Sequence, residues 1–128
     1  VSLWQRCKLT VPWNNPYKDI ARKLKVQPEL FLVGMLDSLL IATVMGGYDG
    51  HRGWINYLAV HPDFQGQGYA QQVMENVESE LRKRGCPKIN LQIRSGNARV
   101  MAFYQKLGFT DDQALSMGKR LEEDHSLN

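Results

Sequence analysis
The chain has 128 residues, 43% of them hydrophobic, which suits a single globular domain over residues 1–128 with a buried core. Its net charge of +3 is scattered rather than gathered into a basic stripe, so nucleic acid is not expected as a partner, while an anionic ligand is compatible. Two cysteines without a CxxC spacing exclude a disulfide scaffold and make a reducing cytoplasm the default, and no apolar run is long enough to cross a membrane.

Leu3, Trp4 and Cys7 recur at helical spacing, which predicts a short helix over residues 1–9. A loop over Val11–Asn14 follows, and Asn15-Pro16 reads as the cap and first position of a second helix with Ile20, Ala21 and Leu24 on its apolar stripe. Residues 30–36 and 39–48 are apolar and β-branched around Asp37-Ser38, a hairpin signal. Gly46–Gly53 is glycine-rich and reads as a loop or frayed strand end. Trp54–Val60 is a strand that Pro62 cannot continue. Residues 67–84 are a long amphipathic helix closed by Gly85, and Lys88–Arg94 alternates as a strand. Asn97–Leu107 is a helix closed by Gly108, and residues 115–121 read as a last strand. The order is ααβββαβαβ, a mixed α/β domain.

The stretch Gln65-Gly66-Gln67-Gly68-Tyr69-Ala70 joins a strand to a helix. A helix start leaves backbone N–H groups without partners at the positive end of its dipole, and glycines remove the Cβ atoms that would keep a phosphate away. The pattern therefore predicts a phosphate or diphosphate cradle. A dinucleotide fingerprint is not met, because Gln71 stands at its third glycine position and three strands precede the helix. A Gly-Lys-Ser/Thr nucleotide loop is absent as well.

Two blocks carry a resemblance. Leu58-Ala59-Val60-His61-Pro62-Asp63-Phe64-Gln65-Gly66-Gln67-Gly68-Tyr69-Ala70 is similar to the fourth strand and Arg/Gln-x-x-Gly-x-Gly/Ala loop of the GNAT superfamily of acyl-CoA-dependent N-acetyltransferases. Asn97 to Phe109 is similar to that family's Asn-x-x-Ala/Val-x-x-x-Tyr-x-x-x-Gly-Phe pattern. The closest likeness is to small bacterial members, including those that modify a ribosomal protein's N-terminus. The resemblance implies the GNAT fold, a mixed central sheet whose fourth and fifth strands splay apart between flanking helices. It also implies a first edge strand for which this chain has no residues, and an uncovered edge invites a homodimer.

What the resemblance implies about chemistry is direct transfer of the acetyl group of acetyl-CoA to a primary amine, with no metal. It assigns the diphosphate to backbone N–H groups of Gln65, Gly66, Gln67, Gly68, Tyr69 and Ala70. The pantetheine arm goes to Leu58, Ala59 and Val60, with a further coenzyme contact from Asn97. Tyr104 matches the family's proton donor, against the plainer reading that its ring only packs. Asn97 equally reads as a helix cap. The two positions where relatives carry a glutamate base are Trp54 and Gln92 here, so no carboxylate stands at either. Gln92 can orient a water but cannot take a proton. Asp49, His51 and His61 read as turn or strand-end residues rather than bases. Trp13 and Asn14 in the first loop, with Tyr48 and Asp49 in the second, are the candidate acceptor residues, Trp13 against the plainer reading of a lid over the core of the sheet. The acceptor amine itself, small molecule or protein, is open, and the alternative function is a non-catalytic acyl-CoA-binding regulatory module.

Overall fold
The computed structural model describes residues 1–124. Two short helices come first, α1 (Ser2–Arg6) and α2 (Pro16–Lys23), followed by three strands, β1 (Phe31–Leu36), β2 (Leu39–Tyr48) and β3 (Gly53–Val60). Helix α3 (Tyr69–Lys83), strand β4 (Ile89–Leu91) and helix α4 (Ala98–Lys106) complete the regular elements. One sheet runs β1-β2-β3-β4. Its first three strands are antiparallel neighbours, and β4 joins β3 in parallel. A parallel neighbour needs a crossover, which α3 supplies. This is the expected mixed α/β fold.

Each face of the sheet has its own core. On one side Met74, Val77 and Leu81, one stripe of α3, pack with Leu30, Val44, Ile55 and Tyr104. On the other, α1 lays Leu3 and Trp4 against Met45 and Ala59. Helix α2 begins as expected: the Asn15 side chain accepts from the N–H of Tyr17 at 3.0 Å, and Pro16 takes the first turn.

Several expectations need correction. The strand expected over residues 39–48 is β2, so Gly46, Gly47 and Tyr48 belong to it and the glycine-rich loop is confined to residues 49–52. Helix α3 passes close over Gly46, which is why a glycine stands there in mid-strand: a Cβ would lie 2.7 Å from Val77 Cγ2. Helix α1 is shorter than residues 1–9, because Lys8 adopts φ +57° and turns the chain out of it. Strand β4 spans three residues rather than the seven of Lys88–Arg94, since its partner β3 bends away after Ile55. Residues 115–121 form no strand, although their polarity alternates. Leu115, Met117 and Leu121 are almost wholly exposed, so nothing rewards a pleated register. Side chains hold this segment instead. Lys88 and Asn90 donate to Asp112 at 3.0 and 2.6 Å, and Arg22 grips Asp124 through two bonds of 2.9 and 3.1 Å. No strand covers the outer edge of β1 among the described residues.

Gly46→Ala is expected to lower stability by about 1–3 kcal/mol by overpacking against Val77 and the Leu30 carbonyl. Urea unfolding measures it; a stability equal to that of the parent would place α3 farther from β2 than described here.

Candidate active site
Strands β3 and β4 pair at only three positions, Gly53 with Ile89, Trp54 with Asn90 and Ile55 with Leu91, and then separate. The cause lies within β3. Between the pairs Thr43–Ala59 and Met45–Asn56, the single residue Val44 faces both Tyr57 and Leu58. That is a β-bulge, which bends its strand and increases the local twist. Tyr57 takes φ +52° there, a left-handed conformation that costs an aromatic residue about 1–2 kcal/mol. Beyond it, Leu58, Ala59 and Val60 keep β2 on one side and have no strand on the other among the described residues.

Helices α1 and α2 hold the bulge. The Trp4 indole stacks on the Tyr57 ring with centroids 3.8 Å apart. Thr43 accepts from Trp4 Nε1 at 2.8 Å and donates to the Tyr57 carbonyl at 2.9 Å. The Tyr57 phenol donates to Asp19 Oδ2 at 2.5 Å and accepts from Asn14 Nδ2 at 3.0 Å, while Asn14 also donates to Asp19 at 2.6 Å. Burial, and then Asp19, push the Tyr57 phenol well above the ordinary tyrosine range.

After Val60 the chain makes one turn at Pro62–Phe64 and enters the glycine loop. Gly66 and Gly68 have φ +79° and +86°, as a tight turn into a helix requires, and a Cβ at either would meet no atom within 4 Å. The space over both glycines is thus open. No side chain caps α3 and its first turn holds no acid. The Gln72 N–H bonds to the Gly68 carbonyl at 3.1 Å, which leaves the N–H groups of Tyr69, Ala70 and Gln71 at the exposed end. Gln65 ties the loop to the strand, donating to the Val60 carbonyl at 2.9 Å, and Gln67 is exposed. An open, donor-rich, uncapped helix start without a carboxylate fits a diphosphate.

Tyr104 lies on α4, whose start Asn97 caps by accepting from the Val100 N–H at 3.2 Å. The ring is 8% exposed and meets Phe103 and Phe109 edge-on, so it does pack in the core. Burial pushes its phenol up to about 12. The phenol oxygen has no hydrogen bond within the described chain, yet no fully buried polar side-chain atom there lacks a partner. The oxygen therefore reaches the surface of the core, while the ring stays inside.

A cleft of about 760 Å³ opens beside the bulge, walled by Trp13, Asn14 and Arg22 on one side and Gly118–Glu122 on the other. Trp13 is 58% exposed, so it lines this space rather than lidding the core, and the Arg94 guanidinium carbon lies over its ring, 5.8 Å from the centroid. Gln92 donates to the Ser116 hydroxyl of the same C-terminal segment. Tyr48 and Asp49 lie elsewhere, at the paired end of β3. Asp49 accepts from the N–H groups of His51 and Arg52 at 2.7 Å each and from Trp54 Nε1 at 3.3 Å. Trp54 is three residues, about 10 Å, from Tyr57. The backbone bonds from Arg52 and His51 hold the Asp49 carboxyl below its ordinary range. His61 is also engaged: Nε2 meets Arg6 at 2.7 Å and Nδ1 meets the Asp63 N–H.

The structure thus places Leu58–Val60 next to the Gln65–Ala70 loop, and Trp13 and Asn14 next to Tyr57. Sequence reasoning missed Tyr57, Asp19 and the Arg22–Asp124 pair. Tyr57 reads as one more apolar strand residue, and Asp19 as a first-turn acid suited to a helix dipole. Asp124 lies under Arg22, which holds its carboxyl down to about 2, and also accepts from the Asn15 N–H at 3.3 Å. Among the described residues no cluster of His, Cys, Asp and Glu could hold a metal ion, and no helix is long and apolar enough to cross a membrane.

Comparison with known proteins points the same way. The family model described as Acetyltransferase (GNAT) family matches residues 1–109. An acetyltransferase of Pectobacterium atrosepticum is 48% identical over 124 residues, which span 97% of this chain and 88% of the relative. The crystal structure of Ard1 from Thermoplasma volcanium has the same fold, with a TM-score of 0.72 and 24% identity over 85% of this chain and 72% of that one. The ribosomal-protein-S18-alanine N-acetyltransferase from Escherichia coli is similar with a TM-score of 0.67 and 28% identity, over 81% of this chain and 65% of its own. The splayed strands, the open glycine loop and these matches make the chain a member of the GNAT acetyltransferase family, whose reaction is transfer of the acetyl group of acetyl-CoA.

Proposed function
We propose that residues 1–128 are one N-acetyltransferase domain that moves the acetyl group from acetyl-CoA directly to a primary amine. The observation that carries this reading is the parting of β3 from β4 at the Tyr57 bulge, directly ahead of an uncapped helix with two left-handed glycines. The N–H groups of residues 66–70 receive the diphosphate. The open edge of Leu58–Val60 receives the pantetheine amides as a short added strand. A backbone N–H near Ala59 or Val60 stabilises the thioester oxygen as negative charge gathers on it, an effect worth about 3 kcal/mol. Asn97 adds a coenzyme contact from the head of α4.

The amine nitrogen attacks the thioester carbonyl carbon with its lone pair, so a C–N bond forms and the C–S bond breaks. The departing thiolate takes the proton of the Tyr104 phenol. Burial keeps the phenol protonated at any working pH but also makes it a weaker acid, so the donation is driven by the breaking C–S bond, and the phenolate regains its proton from solvent before the next turnover. The amine's own proton leaves through water, which Gln92 helps to order, because neither Trp54 nor Gln92 supplies a base. Trp13 and Asn14 line the acceptor's approach. Tyr48 and Asp49 remain in the proposed acceptor set only as remote members, since Asp49 already serves its own turn.

Three outcomes are expected. Gly68→Val forces a branched residue into φ +86° and fills the cradle, so coenzyme A affinity should fall by more than tenfold, about 1.4 kcal/mol, in calorimetric titration. Retained affinity would remove the phosphate loop from the account. Tyr104→Phe keeps the ring and should lower kcat by about 10–100-fold with coenzyme affinity unchanged. An unaltered kcat would leave the tyrosine a packing residue. The raised phenol of Tyr104 is neutral in both folded and unfolded chains below pH about 10. Between pH about 10 and 12 only the unfolded chain ionises, so stability should fall across that window, and less steeply in Tyr104→Phe. The non-catalytic reading predicts coenzyme binding without thiol release against any amine.

A further inference from the structure
We propose that the acceptor carries a negative charge beside its reacting amine, and that Arg94 and Lys119 recognise it. The inference rests on the amine-acetylating reading above and narrows it to a substrate class.

The cleft beside the bulge is bounded by charges that do not balance. Arg22, Lys119 and Arg120 line it against one acid, Glu122. Arg94 lies over the Trp13 ring that forms its wall. The carboxylates nearby are already engaged. Asp124 takes two bonds from Arg22 and sits 3.6 Å from Arg120. Asp19 is held by Arg22, Tyr57 and Asn14. Glu122 pairs with Lys18 at 3.7 Å and Arg22 at 3.4 Å. Arg22 and Arg120 are thus occupied by these acids, while among the described residues no carboxylate pairs with Arg94 or Lys119.

Their geometry suits an anion. The Arg94 guanidinium carbon stands 5.8 Å over the Trp13 ring, a cation–π contact that uses no N–H donor, so the donors that grip a carboxylate with two parallel bonds are not spent on it. Lys119 supplies a mobile charge from the facing wall. The wall itself is fixed, since Arg120 donates to Asn14 Oδ1 at 3.1 Å and the Arg22–Asp124 pair anchors the end of the segment. An acceptor with a carboxylate meets two cations that no carboxylate among the described residues holds, whereas a polyamine meets charges of its own sign there.

The test uses the whole purified protein with saturating acetyl-CoA and follows thiol release and product mass. Acceptors come in matched pairs: a peptide beginning Asp-Glu against one beginning Asn-Gln, both amidated at the C-terminus, and a free amino acid against its amide. Spermidine is the polycation. In at least one pair the carboxylate member should show tenfold higher kcat/KM, carried by KM, and spermidine should be poorer than both members. Which pair responds separates a peptide acceptor from an amino acid. Arg94→Gln and Lys119→Gln should each shrink the ratio at least threefold, Lys119→Arg should keep it, and raised salt should weaken it. Melting curves for each variant check that it is folded. Equal rates within both pairs, preference for spermidine, or a ratio unmoved in both Gln variants would overturn the assignment. Acetylation of spermidine alone leaves the amine-acetylating reading standing without this one. Coenzyme binding with no amine acetylated removes both.

Discussion
The stacking of Trp4 on Tyr57 is the contact on which the rest of the site depends. A tyrosine with φ +52° in mid-strand is unfavourable on its own, and an ordinary strand there would pair with β4 along its length. The indole, the Thr43 hydroxyl and the Asp19 carboxylate offset that cost together, from three different elements. Because they do, β3 carries one extra residue against β2 and bends. The bend leaves Leu58, Ala59 and Val60 with β2 on one side and no strand on the other among the described residues, and in a sheet that is where an extended ligand can add.

The same arrangement joins the cleft at α1 and α2 to the glycine loop. Tyr57 turns its ring and phenol toward α1 and α2, where Asn14 and Asp19 meet it, while the residues after it lead to the glycine loop. Trp13, next to Asn14, walls the cleft, and the far wall is a segment without regular structure, stapled by Asp112, Ser116, Arg120 and Asp124. In the proposed function the coenzyme side would be set by backbone geometry and the acceptor side by long side chains. Rigid backbone suits a cofactor that never changes, and side-chain walls suit a choice among amines.

Sequence patterns revealed the parts that depend on local chemistry. Asn15 and Asn97 cap helices where their spacing says they should, Gly66 and Gly68 take the positive φ that two glycines before a helix suggest, and the α3 stripe lies on the core. The features that stayed hidden depend on partners far along the chain. Tyr57 and Asp19 are 38 positions apart, and Arg22 and Asp124 are 102 apart, so neither pair leaves a local signature. The bulge is a matter of register, visible only once Val44 is seen to face two residues. Residues 115–121 show the opposite error: their alternation resembles a strand, but exposed Leu115, Met117 and Leu121 have no apolar face to join.

The most direct measurement is amide hydrogen exchange on the protein with and without coenzyme A. The account predicts that binding slows exchange at residues 58–60 and 66–71 together, because one ligand would occupy the open strand edge and the uncapped helix start at once. Protection confined to other segments, with both of these exchanging as fast as in the free protein, would contradict it.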